Sequence, residues 1–474
     1  MRYGHTSIIN FLSRLVMSFS GFVATIALTR TLGQDRYGTY VVVLSVLAWV
    51  VMAGKLGLPQ AIRKRVSERS EGNYVAMGLF AQFGLYAIVA VCLWIARHHL
   101  NEFIGIEATL VLIMMLGVRL LLDVVRSILD GQHLVHVSSI LSPIEWTGRS
   151  FVQVTFVLSG FGIIGAFAGY IVGAVVATAI GTYFVTVPQT LPSRQDLYNL
   201  KSYAQFSWLG SIRGRTFLSM DTIILAFFVS NSLVAVYEIA WNLASLFAIF
   251  GSSISQTLFP AMSKISSEQE SDAEIARLLR ISLAFTGLFI VPGFVGSALV
   301  GDIILTIYGS GFDTGYYLLF VLTFARLLYG YMGQFLSTIN AVDRPDLTFY
   351  INAVFVVVNL VLNIVLTWQF GWYGAATATT ISAGLGLVLG YYYASQIINV
   401  VVPFGEIAKQ WIAAGIMAIV VLAGRLMIGS SLPIVVILVV VGSAVYFGAL
   451  LALSHEFRAT VHDNLPFELP VTVE

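Results

Sequence analysis

A set of charged residues sits inside long apolar runs, where charge is expensive. Arg14, Lys55, Arg119, Asp123, Arg126, Glu145, Arg149, Arg213, Arg215, Asp221, Glu238 and Arg326 all fall within or at the ends of such runs. A charge at the centre of a bilayer costs about 2.5–3.5 kcal/mol on insertion scales, so each should face a cavity or a partner. Asp123 and Arg126 follow Arg119 at i+4 and i+7, which puts all three on one helical face. Glu145 and Arg149, at i,i+4, read as an intrahelical pair. Lys55 and Arg126 lie near run ends and can reach the interface with their heads; Arg14, Arg213 and Arg215 can do the same or line a cavity. Arg326 has no carboxylate within one helical turn, which favours a cavity role. Asp221 and Glu238 flank one expected hairpin and, with Asp123, could hold a coupling ion or proton; pairing with Arg213 or Arg215 is the alternative for the first two.

Cations outnumber anions in this set, and an excess of buried arginine calls for an anion. The guanidinium fork holds phosphate bidentately, so Arg14, Arg213, Arg215, Arg326 and Arg119 are the candidate phosphate-binding residues. None of the seven histidines falls at mid-run, which speaks against a histidine proton relay. No His/Cys/carboxylate spacing suggests a metal, and no nucleophile–base pair stands out. We therefore expect no catalytic residues, no metal, no cofactor and no enzyme activity. Asn359 and Asn363, at i,i+4, give a polar face suited to interhelical hydrogen bonds or a sugar path.

The runs that carry these residues dominate the chain. Of 474 residues, 58% are hydrophobic and only 10% charged, with a mean hydropathy of +0.88. A soluble domain carries roughly 25% charged residues. The apolar residues recur in runs of about 18–25, the length of a membrane-crossing helix. This composition excludes a soluble enzyme, a nucleic-acid binder and a disulfide scaffold. We expect an all-α polytopic membrane protein with about fourteen spans: 8–29, 39–58, 75–96, 107–126, 139–158, 161–186, 205–229, 235–259, 278–300, 316–337, 348–367, 374–396, 409–428 and 433–453. Lys and Arg near the run ends divide about 13 to 4 in favour of the side that holds the N-terminus, which places both termini in the cytoplasm.

The chain also repeats itself. Phe161-Gly162-Ile163-Ile164-Gly165-Ala166 and Phe370-Gly371-Trp372-Tyr373-Gly374-Ala375 share the pattern F-G-x-x-G-A, 209 residues apart. Arg119-Leu120-Leu121 matches Arg326-Leu327-Leu328 at an offset of 207, Leu129-Asp130-Gly131 matches Ile339-Asn340-Ala341 at 210, and Tyr37-Gly38-Thr39-Tyr40 matches Val234-Ala235-Val236-Tyr237 at 197. Six spans per copy is an even number, so the copies are parallel repeats. That is the plan of alternating-access carriers, with substrate near mid-membrane. We expect lobes at 1–190 and 200–398, two further helices at 405–454 and a cytoplasmic tail at 455–474.

The segment Leu32-Gly33-Gln34-Asp35-Arg36-Tyr37-Gly38-Thr39-Tyr40 resembles the L-G-x-x-x-[YF]-G-x-[YF] turn of polysaccharide-biosynthesis flippases, the Wzx-type branch of the multidrug/oligosaccharidyl-lipid/polysaccharide exporter superfamily. Lys55-Leu56-Gly57-Leu58-Pro59-Gln60-Ala61, followed by Arg63-Lys64-Arg65, is similar to the end of that family's second helix and its basic loop. Phe370–Ala378 is similar to its F-G-x-x-G-A-A-x-A turn. The resemblance implies two six-helix lobes forming a V around a hydrated cationic cavity. It also implies an isoprenoid-phosphate- or pyrophosphate-linked oligosaccharide as substrate, moved from the cytoplasmic to the outer leaflet of the cell membrane. Arg14, Arg213 and Arg215 match the family's cavity arginines by helix and depth. We expect a monomer among membrane lipids, without nucleic-acid partners, working beside other polysaccharide-assembly proteins. The alternatives are a cation-coupled exporter of small amphiphiles and, in a different class, a membrane-embedded glycan polymerase or transferase. The first would want net carboxylate in its cavity; the second would want a catalytic group and a sizeable outer loop.

Overall fold

The computed structural model describes residues 2–68, 72–268 and 271–464, with side chains described for 17–68, 72–205, 207, 220–268 and 271–462. Among these residues the secondary structure is helical. The helices are α1 (Arg2–Lys55), α2 (Leu58–Ser67), α3 (Tyr74–Ile95), α4 (Arg97–Ile104), α5 (Thr109–Gly131), α6 (Val135–Phe156), α7 (Gly162–Tyr183), α8 (Arg194–Phe228), α9 (Asn231–Phe247), α10 (Ile249–Ser267), α11 (Asp272–Leu305), α12 (Tyr316–Ala341), α13 (Pro345–Phe370), α14 (Trp372–Ile397), α15 (Phe404–Ile428), α16 (Leu432–Leu453) and α17 (His455–Asn464).

Eight helical runs among the described residues are long and apolar enough to cross a membrane, or ten if each of two bent helix pairs counts as one span. Several of the eight are longer than one crossing needs, and two of them contain a break. Met17–Lys55 covers 39 residues and Val135–Tyr183 covers 49. The first breaks at Gly33, whose φ of 73° and ψ of 175° are not helical. The expected spans 8–29 and 39–58 lie on either side of that break. The second is interrupted by one turn of π-helix, Val157–Phe161, between α6 and α7. The chain is a multi-pass membrane protein. Apolar side chains on its outer faces, such as Phe80, Phe83, Ile88 and Ile95 of α3, are exposed, as hydrocarbon surroundings permit. In lipid it is backbone polarity, not apolar surface, that must be hidden.

The chain forms two compact units, one of residues 1–235 with 308–310 and one of 236–307 with 311–474. In the first, α6 lies against α7, α5 packs on α2, α3 and α7, and α8 packs on α1, α2 and α3. Leu122, Val125, Leu129, Leu141, Ala174 and Ala177 fill the α5–α6–α7 core. In the second, α12 and α13 pack on α14, and α15 and α16 pack on α11. Met417, Val421, Leu438 and Tyr446 fill that last interface, and the Gln410 amide of α15 donates to the Ala284 carbonyl of α11 at 2.6 Å.

The internal repeat is visible in the backbone. After α5, His133 has φ 61°; after α12, Asp343 has φ 58°. They are 210 residues apart, and each sits in a turn closed the same way. The Leu134 N–H donates to the Leu129 carbonyl at 2.8 Å, and the Arg344 N–H to the Ile339 carbonyl at 3.1 Å. This bond, from the residue after a left-handed one back across the last helical turn, is a Schellman closure. Further on, Gly162 and Gly371 share one conformation, φ 57° and ψ −140° against φ 59° and ψ −140°. A side chain is strained at such a φ, which accounts for the glycine in both F-G-x-x-G-A turns. From His133 to Gly162 is 29 residues and from Asp343 to Gly371 is 28. The π turn at Val157–Phe161 accommodates one extra residue within a helix, and it lies in the longer copy.

Candidate functional site

Arg119, Asp123 and Arg126 of α5 and Glu145 of α6 come together in one partly buried network inside the first unit. Glu145, 2% exposed, sits at its centre. Its Oε1 accepts from Arg119 Nη1 at 2.8 Å and its Oε2 from Arg126 Nη2 at 2.8 Å. Arg119 Nε also lies 3.4 Å from Asp123 Oδ2, and Asp123 pairs with Lys55 at the end of α1. Arg119, Asp123 and Arg126 do share one face, as their spacing predicts. Lys55 and Arg126, expected to reach toward the interface, are engaged with carboxylates.

The expected Glu145–Arg149 pair gives way to other bonds. Arg149 Nη2 donates to the Tyr40 hydroxyl of α1 at 2.5 Å, and its guanidinium lies 4.7 Å from the Tyr170 ring centre and 5.1 Å from that of Trp146. Gln153 Nε2 joins it on the Tyr40 oxygen at 2.7 Å and reaches the Ala166 carbonyl at 2.8 Å. The i,i+4 spacing permits a pair without requiring one. Here two guanidiniums of α5 hold the carboxylate, and an arene-lined phenol pocket holds the arginine.

Local sequence explains how these helices approach so closely. On α7, Gly169 and Gly173 face α6: a Cβ on Gly173 would lie 2.6 Å from the Glu145 carbonyl, and one on Gly169 3.0 Å from the Arg149 carbonyl. Small residues at this spacing let two membrane helices meet backbone to backbone. The Tyr37–Tyr40 motif acts in α1. A Cβ on Gly38 would run into the Asn231 carbonyl, the Thr39 hydroxyl accepts from Asn231 Nδ2 at 3.0 Å, and Tyr40 carries the Arg149 bond. Tyr40, Gln153 and Tyr170 belong to the site and carry no charge, so a search for charge in apolar runs passes over them. The Tyr-Gly-Thr-Tyr motif was the signal available.

Among the described residues the second copy lacks this network. Counted from the common turn at offset 210, Asp123 corresponds to Gly333, Arg126 to Leu336, Glu145 to Phe355 and Arg149 to Asn359. Gln153 corresponds to Asn363, and both amides are buried. Arg119 corresponds to Tyr329, so Arg326 stands three residues, about 4.5 Å of helix, earlier than its expected mate. Arg326 lies 3.7 Å from the Trp241 ring centre and donates to the Ser245 hydroxyl. Desolvated, such a cation–π contact is worth about 2 kcal/mol.

The remaining candidates are placed as follows. Arg14 lies on α1 and Arg213 and Arg215 on α8, two helices that pack together; their side chains lie outside the described residues. Asp221 is half-buried on α8 in the first unit. Glu238 is half-buried on α9 in the second and accepts from Asn242 Nδ2 at 3.2 Å. Among the described residues, no group of three or more His, Cys, Asp or Glu is placed to hold a metal ion.

Among the described residues the network counts four cations, Lys55, Arg119, Arg126 and Arg149, against two carboxylates, Asp123 and Glu145. That surplus suits an anion with two charges.

Fold and site together define a multi-pass α-helical membrane protein with a cation-rich, partly buried network in its first repeat. The chain belongs to the polysaccharide biosynthesis protein family, whose sequence model matches residues 4–266. It is 29% identical to the probable flippase AglR of Haloferax volcanii, over 98% of both chains. It is 25% identical to that organism's probable low-salt glycan biosynthesis flippase Agl15, over 99% of this chain and all of the other. In fold it is similar to the lipid II flippase MurJ in an inward closed conformation, with a TM-score of 0.79, 15% identity and coverage of 96% of this chain and 100% of that one. It also resembles an inward-facing multidrug resistance MATE family transporter of the MOP superfamily, with a TM-score of 0.62, 14% identity and coverage of 80% and 95%.

Proposed function

We propose that the protein is a flippase that moves an isoprenoid-phosphate- or pyrophosphate-linked oligosaccharide from the cytoplasmic to the outer leaflet of the cell membrane. The observation that carries this reading is the surplus of half-buried cation around the buried Glu145 in a member of the polysaccharide biosynthesis family. A phosphorylated, hydroxyl-rich head group cannot cross hydrocarbon unaided. Guanidiniums held in a protein interior give its phosphate a partner on the way. Arg119 and Arg126 are the described donors for that phosphate, with Arg14, Arg213, Arg215 and Arg326 as further contacts along its path. Asp123, Asp221 and Glu238 remain the candidates for ion or proton coupling.

Access alternates between leaflets as the lobes 1–190 and 200–398 move, with 405–454 as two added helices and both termini cytoplasmic. Translocation breaks no covalent bond, so no catalytic residue is invoked. The protein works as a monomer among membrane lipids, next to other polysaccharide-assembly proteins.

The amphiphile-exporter reading would place surplus carboxylate where this chain has surplus arginine. Liposomes separate the two. With the protein reconstituted, an isoprenoid-pyrophosphate oligosaccharide in the inner leaflet should become cleavable by an external glycosidase faster than in empty liposomes. A cationic dye should not be exported under a proton or sodium gradient. Dye export without glycan exposure would replace the flippase reading with the exporter.

A further inference from the structure

We propose that Glu145 is a built-in stand-in for the substrate's phosphate, so that an anion entering between Arg119 and Arg126 displaces its carboxylate and brings one proton onto it. This rests on the reading of Arg119 and Arg126 as anion-binding residues and adds to it a coupling of binding to protonation.

Three observations carry it. Each Glu145 oxygen takes one hydrogen bond from a different guanidinium, both at 2.8 Å. Two forks converging on two oxygens of one anion is the arrangement a phosphate also satisfies. Arg126 Nε is buried and makes no hydrogen bond among the described residues, so the seat has a donor that the carboxylate does not use and a third phosphate oxygen can. The Arg119 and Arg126 side chains are 15% and 18% exposed while that of Glu145 is 3% exposed, so an incoming anion meets the arginines before the carboxylate.

Among the described residues, the other cations near a displaced Glu145 carboxylate are already engaged. From α5 the carboxylate faces Arg119 and Arg126, from α7 Tyr170, and on its own helix Arg149; Asp123 lies beyond Arg119, and Lys55 and Tyr40 of α1 meet Asp123 and Arg149. Lys55 is paired with Asp123 and Arg149 is bonded to Tyr40. An ionised carboxylate buried without its partners is strongly disfavoured and neutralises instead. The proton comes from water onto a Glu145 oxygen and returns to water when the anion leaves and the guanidiniums close again. Binding therefore strengthens as pH falls, approaching tenfold per pH unit where one proton is taken up with each anion.

The test uses purified full-length protein in lipid nanodiscs and an isoprenoid-pyrophosphate-linked sugar, whose two phosphate charges stay constant over roughly pH 5.5–8.5. Binding is measured across that range, and proton uptake is followed with an indicator dye in weak buffer. Wild type should take up about one proton per probe bound and bind more weakly as pH rises. Glu145→Gln should bind the probe at least about tenfold more tightly at the alkaline end, with no pH dependence from this site and no proton uptake. Should that variant fail to fold, the wild-type proton count decides alone. Wild-type binding that is independent of pH and takes up no proton overturns the coupling and leaves the flippase reading standing. If Arg119→Gln and Arg126→Gln bind as well as wild type, the anion seat falls and the coupling with it.

Discussion

Arg149 and Tyr40, 109 residues apart in sequence, meet at 2.5 Å, with the guanidinium donating to the phenolic oxygen. This contact joins the family-like turn in α1 to the helix that carries Glu145. Tyr40 accepts from Gln153 as well, so one phenol orients two polar residues of α6, spaced one turn apart.

Tyr40→Phe removes that acceptor and keeps the ring. Gln153 retains the Ala166 carbonyl, whereas Arg149 loses its hydrogen-bond acceptor and keeps only ring faces. A buried donor left unsatisfied costs about 1–3 kcal/mol. Thermal unfolding in detergent should show a lower midpoint for Tyr40→Phe than for wild type. An unchanged midpoint would mean the bond carries no structural load.

Ion pairs should separate by burial. Glu145→Ala strands two guanidiniums in a buried setting, a loss of about 3–5 kcal/mol. Asp302 and Arg425, paired at 2.6 Å, have side chains 37% and 26% exposed, well above the 3% of Glu145, so Asp302→Ala should cost clearly less, about 1 kcal/mol. Equal effects on the unfolding midpoint would contradict the burial argument.

Close approach of α6 and α7 makes its own demand. Gly173→Ala puts a methyl 2.6 Å from the Glu145 carbonyl, and the helices must part, at a cost of about 1–3 kcal/mol. Gly296 in α11 has nothing within 4 Å of its Cβ position, so Gly296→Ala should be neutral or stabilising by up to about 1 kcal/mol. The unfolding midpoint should fall for Gly173→Ala and hold or rise for Gly296→Ala, and the Gly173 variant should also lose glycan translocation.

Much of this was legible in the sequence. Apolar run length gave the helices, since in a membrane both faces of a helix can be apolar and periodicity is not needed. The repeat was legible because turn chemistry is local: a positive φ at Gly162 and Gly371 demands glycine wherever that turn occurs. The offsets of 210 and 209 already contained the π turn, as one residue present in the first copy only. The partners of the buried charges were less legible. Spacing along α6 suggested Glu145–Arg149, but which way each side chain turns depends on α1, α5 and α7, tens of residues away. The Arg119–Arg326 match was a match of letters; the common turn shows the two arginines at different levels of corresponding helices. Lys55 looked like an interfacial residue until α5 supplied Asp123.

The most direct test of the central claim is glycan exposure in liposomes by proteins that differ only at the network. Wild type, Arg119→Gln, Arg126→Gln and Arg277→Gln would be compared, the last changing an exposed arginine paired with Glu274. Rates would be normalised to folded protein. Wild type and Arg277→Gln should expose the inner-leaflet isoprenoid-pyrophosphate oligosaccharide at similar rates, and the two network variants should slow at least about tenfold, as loss of a charge-assisted phosphate contact worth roughly 1.5–3 kcal/mol requires. Network variants that translocate as fast as wild type would contradict the claim.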